Sequence, residues 1–365
     1  MTALLAGIAM LAQQERPTFK EVTFPRGPSK TVSTFLRVDL APLEPSRFSP
    51  KKFGVPPTPW EFPWLTRGYA QPKSVPEGWL RFRIYSQDRK EKNDTAERVG
   101  QMLLALFEQS VTHLKRDHSE KYNFRIVDVF LCWGGKPGGE QRFDVINVKG
   151  EVIPINTIYF YDLPSFTDPV ETAREVAHEY GHAVLPAIGG YEAPEGWANG
   201  YLGEKLFLTY LSEGMGMGLC TPDDAMGATK TDLDRWLAKN VQPLVTQASQ
   251  TLPTPLLLAD RSAAGMDRYI GLAMYAATVL PDAVFRRSLL LTGSTEAKDY
   301  PEAIALAAEE PEEFTLRIPS YLKGKTLWVP LNKGKVAGAK VLRYMGKWAK
   351  VQPTSDEVVV QNRRA

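Results

Sequence analysis

The stretch His178-Glu179-Tyr180-Gly181-His182 sets two imidazoles four positions apart, with a carboxylate directly after the first. On an α-helix, residues at that spacing lie one turn above each other on the same face. Both rings can then meet a single metal ion at about 2.0–2.1 Å per Zn–N bond. Glu179 falls about 100° round the helix, where its carboxylate can reach a water on the metal rather than the metal itself. The plainer alternative is a pair of helical histidines with local partners. The chain has only four histidines, however, and two of them stand in this frame with the glutamate.

The flanks support a helix. Ser165-Phe166-Thr167-Asp168-Pro169-Val170-Glu171 supplies an Asp N-cap, a proline at the first helical position and a glutamate three residues after the cap. Ala173, Val176, Ala177, Ala183 and Val184 give an apolar face, and Pro186 with Gly189-Gly190 stops the run. Ala177, Gly181 and Ala183 are small enough to let a neighbouring helix come close.

At 365 residues, 43% apolar and 24% charged, the chain has the composition of a globular protein with a large core. Its 44 basic and 42 acidic residues leave a net charge of +2, so bulk charge gives no case for nucleic acid or an anionic membrane. Two cysteines, Cys132 and Cys220, are too few for a disulfide framework; one bridge or two free thiols are both open. Thr2 to Ala12 is apolar and turns polar at Gln13-Gln14-Glu15-Arg16-Pro17. It reads as a short secretory signal over residues 1–12, which would place the protein outside the cell or in a periplasm; a buried N-terminal helix in a cytoplasmic protein is the other reading. No apolar run reaches the length of a membrane span.

Residues 13–78 are proline-rich: twelve of the 28 prolines fall in the first eighty positions, which favours extended structure. Phe19–Phe24 and Thr31–Leu40 are expected strands, and Pro56–Trp64 a semi-rigid aromatic segment that packs across its own domain. Residues 79–310 read as the main domain. Trp79–Tyr85 alternates as a strand, Thr95–Leu114 repeats apolar residues at helical spacing, and Phe124–Cys132 and Val152–Tyr161 are strands. Gly134-Gly135-Lys136-Pro137-Gly138-Gly139 lacks the Lys-Ser/Thr of a phosphate loop and reads as a mobile turn. His113 and His118 have no ligand-spaced companions and read as surface or helix-end histidines. Beyond the motif the pattern is helical over Pro194–Leu211, Asp232–Ala248, Ala263–Leu280 and Pro281–Leu291. Residues 311–365 form a small β module with strands at Phe314–Ile318, Thr326–Leu331, Lys340–Tyr344 and Trp348–Val351. Its basic residues are interleaved with turns, as on a solvated face, rather than gathered into a nucleic-acid patch.

Two histidines do not complete a catalytic zinc site, which takes three protein ligands and keeps one open position. With no histidine after His182, the third must be a carboxylate, and Glu192, Glu195 and Glu204 are near. Pro194-Glu195-Gly196-Trp197-Ala198-Asn199 puts Glu195 at an expected helix start, with Asn199 one turn on to orient a ligating imidazole.

His178-Glu179-Tyr180-Gly181-His182 followed by Glu195-Gly196-Trp197-Ala198-Asn199 resembles the gluzincin metallopeptidases, especially compact members whose zinc glutamate lies in a Glu-x-x-Ala-Asp/Asn helix. The resemblance covers about residues 79–211. It implies a zincin-like α+β domain, zinc held by His178, His182 and a glutamate of the following helix, and hydrolysis of peptide or protein substrates with Glu179 as general base. Glu195 is the favoured third ligand, because Asn199 follows it by four residues, although it stands closer to His182 than in thermolysin-like relatives; Glu204 is the alternative, nearer that spacing but with Leu208 four residues on. Tyr191, Tyr201 and Tyr269 are candidates to stabilise an oxyanion, each with packing as its simpler role. An exposed strand edge beside the helix, read as Ile153–Phe160, would suit an extended peptide. The readings from other classes are a non-catalytic binding or structural protein on the same scaffold, and a metal-dependent hydrolase of some other substrate.

Overall fold

The computed structural model describes residues 18–22, 30–36, 64–70, 79–87, 94–116, 126–148, 151–332 and 334–362. The expected segment at residues 1–12, the stretch from Pro56 to Pro63, and His118 lie outside them.

The architecture is α+β. Strands β1 (Thr18–Val22), β2 (Lys30–Leu36), β3 (Trp64–Ala70) and β4 (Trp79–Ser86) form an antiparallel meander. β5 (Val127–Cys132) pairs parallel with β4, and β7 (Glu151–Tyr161) pairs parallel with β5. β6 (Gly138–Val148) runs antiparallel to β7 and closes the sheet, whose order is β1-β2-β3-β4-β5-β7-β6. The strands expected in the proline-rich segment therefore belong to the same sheet as β4. The strand edge beside the motif is β6; β7, expected at that rim, is covered on both sides. β6 went unread because its first two residues are glycines, which the sequence reading assigned to a turn.

Helix α1 (Asp94–Gln109) makes the crossover from β4 to β5 and continues into one π turn, Ser110–Leu114, where a single α-helix was expected. Val99, Met102, Leu103 and Leu106 of α1 are buried with Phe82 and Ile84 of β4, Val129 and Leu131 of β5, and Ile158 and Phe160 of β7. Alternate residues of these strands point to the other face, where Tyr85, Phe130 and Tyr159 stack across three strands at 4.9 and 5.0 Å.

After β7 the chain enters α2 (Pro169–Val184), which carries the motif. Asp168 caps it by accepting from the Val170 N–H at 2.9 Å, with Pro169 in the first turn. Pro186 pushes Leu185 into extended backbone and ends it. Then follow α3 (Asn199–Gly216), α4 (Lys230–Asn240), α5 (Gln242–Gln250), α6 (Pro255–Leu258), α7 (Ala263–Val279), α8 (Asp282–Leu291) and α9 (Tyr300–Glu309). The single helix expected over Asp232–Ala248 is broken at Val241, because Pro243 has no N–H and its ring crowds the preceding turn.

The C-terminal part holds six strands among the described residues, two more than expected: β8 (Glu313–Arg317), β9 (Leu327–Pro330), β10 (Lys335–Ala337), β11 (Ala339–Met345), β12 (Trp348–Pro353) and β13 (Glu357–Gln361). They make two three-stranded sheets, β10-β13-β8 and β11-β12-β9. Cys132 and Cys220 are buried free thiols. Among the described residues, no helix is long and apolar enough to cross a membrane.

Tyr180 joins the layers. It is fully buried, meets Phe82 of β4 edge-on at 6.0 Å and lies against Phe207 of α3 at 5.4 Å. Tyr180→Ala removes both contacts at once and is expected to cost about 3–5 kcal/mol in urea unfolding. A loss below about 1 kcal/mol would show that α2 is not held to the sheet through this ring.

Candidate metal centre

Helices α2 and α3 touch backbone to backbone. A Cβ built on Gly181 would lie 2.6 Å from the Asn199 carbonyl and 2.7 Å from the Gly203 Cα, and one on Gly203 would lie 2.5 Å from the Gly181 Cα. Side chains of ordinary size keep helix axes 8–10 Å apart, and glycine on both surfaces removes that spacer. The same approach brings Gly200 under the imidazoles: its Cβ would stand 2.3 Å from Nε2 of His182 and 2.4 Å from Nε2 of His178.

His178 and His182 converge with Glu195. The two Nε2 atoms are 3.2 Å apart; Nε2 of His178 lies 3.3 Å from Oε2 of Glu195, and Nε2 of His182 lies 3.4 Å from Oε1. Ligands at 2.0–2.1 Å in a tetrahedron are themselves separated by about 3.3–3.4 Å, so the three donors stand at a spacing that fits a tetrahedral metal ion. Among the described residues this is the one group of three or more His, Cys, Asp or Glu donors able to hold a metal. The histidine side chains are 9% and 14% exposed and Glu195 is 29% exposed, so the cluster opens to solvent on the glutamate's side.

The His182 tautomer is set from α3. Asn199 donates its amide N–H to the His182 carbonyl at 3.4 Å, which turns its Oδ1 to Nδ1 of His182 at 3.0 Å. An amide oxygen only accepts, so Nδ1 carries the proton and the Nε2 lone pair points to the centre. Glu204 approaches His178 from the opposite side, with Oε2 3.5 Å from Nδ1. Its carboxylate is 3% exposed and also takes Arg174 at 2.9 Å and Lys205 at 2.7 Å. Glu195 thus faces the converging nitrogens and Glu204 the outer one. The two glutamates were expected to compete for one role; they stand on different atoms of the same ring.

Charge follows this geometry. Burial works against a proton on His178, but Glu195 and Glu204 outweigh it and raise its pKa to about 10. Burial also opposes ionisation of Glu195; its bonds to His178 and His182 prevail and hold it at about 2. Glu204 is likewise buried and likewise held at about 2, by His178, Lys205 and Arg174. The ionised Glu195 carboxylate beside the converging nitrogens completes a donor set suited to a cation.

Glu195 was expected at the start of a helix, and it does not lie on one. α3 starts at Asn199, and Glu195 sits at the tip of the preceding loop. That loop closes on itself through Ala198 N–H to Ile188 O at 2.8 Å and Tyr191 N–H to Gly196 O at 3.3 Å. It is tied to later segments by Gly189 N–H to Thr295 O and Glu192 N–H to Arg261 O, both 2.9 Å. Glu192 is exposed on this loop and outside the donor group.

Glu179 is 3% exposed and lies against the edge strand: a Cβ on Gly139 would meet its Cγ at 2.6 Å and its Oε1 at 2.8 Å. Its charge also supports the imidazolium of His178. Gly139 is the site residue that sequence reasoning passed over. The available signal was a glycine pair directly before the alternating run Glu140–Val148, a mark of close backbone approach. Of the three tyrosines considered, only Tyr201 stands in the cluster, with its ring edge-on to His178 at 4.7 Å. Tyr191 is buried beside Arg261 and Asp260, and Tyr269 packs against Tyr300 at 5.4 Å. His113 bonds Asp282 at 2.8 Å and stacks on Tyr210, away from the donor group.

No known family profile and no curated protein matches this sequence.

Gly200→Ala places a methyl group against both converging nitrogens, and metal content by elemental analysis is expected to fall from stoichiometric to trace. Full metal content in this variant would remove the imidazole pair from the site. Asn199→Ala frees the His182 ring and is expected to weaken zinc affinity about 10–100-fold in competition with a chromophoric chelator; unchanged affinity would mean that Asn199 does not hold the ring.

Proposed function

We propose that this chain is a zinc-dependent peptide hydrolase of the gluzincin type, with His178, His182 and Glu195 as the metal ligands. The observation that carries the proposal is the donor triangle of 3.2–3.4 Å, with the Glu179 carboxylate on the same helical turn and against the sheet edge. Bound zinc would polarise the scissile carbonyl and lower the pKa of water at its open position towards about 7.

The residues divide the remaining work. Glu179 accepts the proton from the attacking water and delivers it to the leaving amine nitrogen. Its fixed place against Gly139 keeps that carboxylate from swinging away between the two transfers. Asn199 keeps His182 in the tautomer that presents Nε2, and Glu204, anchored by Arg174 and Lys205, steadies His178. β6 leaves an edge unpaired among the described residues, and an extended substrate can add its backbone there as a further strand. The opening on the side of Glu195 gives the scissile bond its way in.

Glu179→Gln tests the assignment, because it keeps the shape of the side chain and removes the base. The variant is expected to retain stoichiometric zinc and to lose about 10²–10⁴-fold in the rate of hydrolysis of a denatured protein. Hydrolysis at the native rate would remove Glu179 from the reaction. A native chain that holds zinc yet cleaves no peptide would leave the non-catalytic scaffold as the better account.

A further inference from the structure

Charge is unevenly distributed along this chain. Between residues 311 and 362 there are nine lysines and arginines against four acidic residues, while the whole chain carries only +2. The excess has a definite place in the sheet β11-β12-β9. Antiparallel pairing sets Lys340 opposite Gln352, and sets Arg343, Lys350 and Trp328 side by side across three strands. Residues opposite each other share a face, so Lys340, Arg343 and Lys350 project from one side of the sheet. Arg343 and Lys350 lie over the buried Trp328 ring, at 4.9 and 6.0 Å from its centroid.

Two like charges directly opposite are unfavourable in a sheet, and here the indole is the countervailing contact. None of the three cations forms an ion pair among the described residues, whereas Lys323 and Lys347 in the same region pair with Asp356 and Glu302. This face therefore gathers three uncompensated cations.

β11 is also the end strand of its sheet, and its outer edge pairs with no strand among the described residues. It exposes Leu342 (43%), Tyr344 (42%) and Met345 (47%), a concentration of large apolar side chains within four positions. A register shift between Val341 and Arg343, together with the cations, guards such an edge against neutral strands. The same features admit a strand whose carboxylates meet the cations.

We infer that the β11 edge is a docking surface for an extended, acidic polypeptide segment. The segment pairs its backbone with β11, sets alternate carboxylates against Lys340, Arg343 and Lys350, and covers the exposed Leu342 at the register shift with an apolar side chain. The free backbone edge and the aliphatic side chains favour a peptide over a nucleic acid, which can use neither. The surface lies outside the metal centre and does not depend on the peptidase proposal.

Fluorescence anisotropy of a labelled peptide of alternating Glu and Val, titrated with the full-length Glu179→Gln chain to prevent turnover, tests this. Binding is expected to weaken steeply between about 0.1 and 0.5 M salt and to survive chelation of metal. It is expected to fall about tenfold in Arg343→Glu. Lys340→Glu, which leaves the Trp328 contacts intact, repeats the test should the first variant melt early. Methylation of alternate backbone nitrogens of the peptide should abolish binding. Equal binding of a Lys/Val peptide, tighter binding of an oligothymidine of matched charge, indifference to backbone methylation, or no binding would each overturn the inference.

Discussion

Two helices cannot approach closely enough for their backbones to touch unless side chains are missing from both facing surfaces, and α2 and α3 meet this condition through Gly181 and Gly203. Most of the centre's geometry follows from that contact. α2 supplies both imidazoles and the adjacent carboxylate. α3, brought within a bond's reach, supplies Asn199 to one ring and Glu204 to the other, and Gly200 lies beneath both. Had the helices packed at ordinary distance, these groups would stand too far away to fix a tautomer, and the donor triangle would have no floor.

The second constraint is electrostatic. A carboxylate as buried as Glu204 is costly to ionise unless it is paired, and it is paired twice, with Arg174 from α2 and Lys205 from its own helix. Arg174 also holds Glu171, one turn earlier on α2. A chain of charge thus runs from the start of the motif helix to the outer nitrogen of His178. It keeps Glu204 ionised without bringing that carboxylate to the converging nitrogens, where Glu195 alone stands.

Much of this was legible in the primary structure. The spacing of His178 and His182, the Asp168-Pro169 helix start and the small residues Ala177 and Gly181 each depend on local rules, and the structure shows the helix, its cap and the close contact. What could not be read was tertiary. Glu195 precedes α3 instead of opening it, because the loop from Ile188 to Ala198 closes through its own backbone bonds, which no periodicity reveals. β6 was hidden by its two opening glycines, of which Gly139 passes beside Glu179. Glu204 looked like a rival ligand because spacing along a chain does not say which side of an imidazole a carboxylate will reach. The split at Val241 was visible in Pro243, and a longer apolar pattern overrode it in the reading.

The loop that bears Glu195 hangs from the carbonyls of Arg261 and Thr295, residues synthesised well after the histidine helix. Local helix formation can present both imidazoles early, but the acid reaches its place only once these distant segments have folded behind it. Under the proposed function, a nascent or truncated chain would therefore carry a two-nitrogen site of low affinity, and full cation binding would serve as a built-in report that the helical half has assembled.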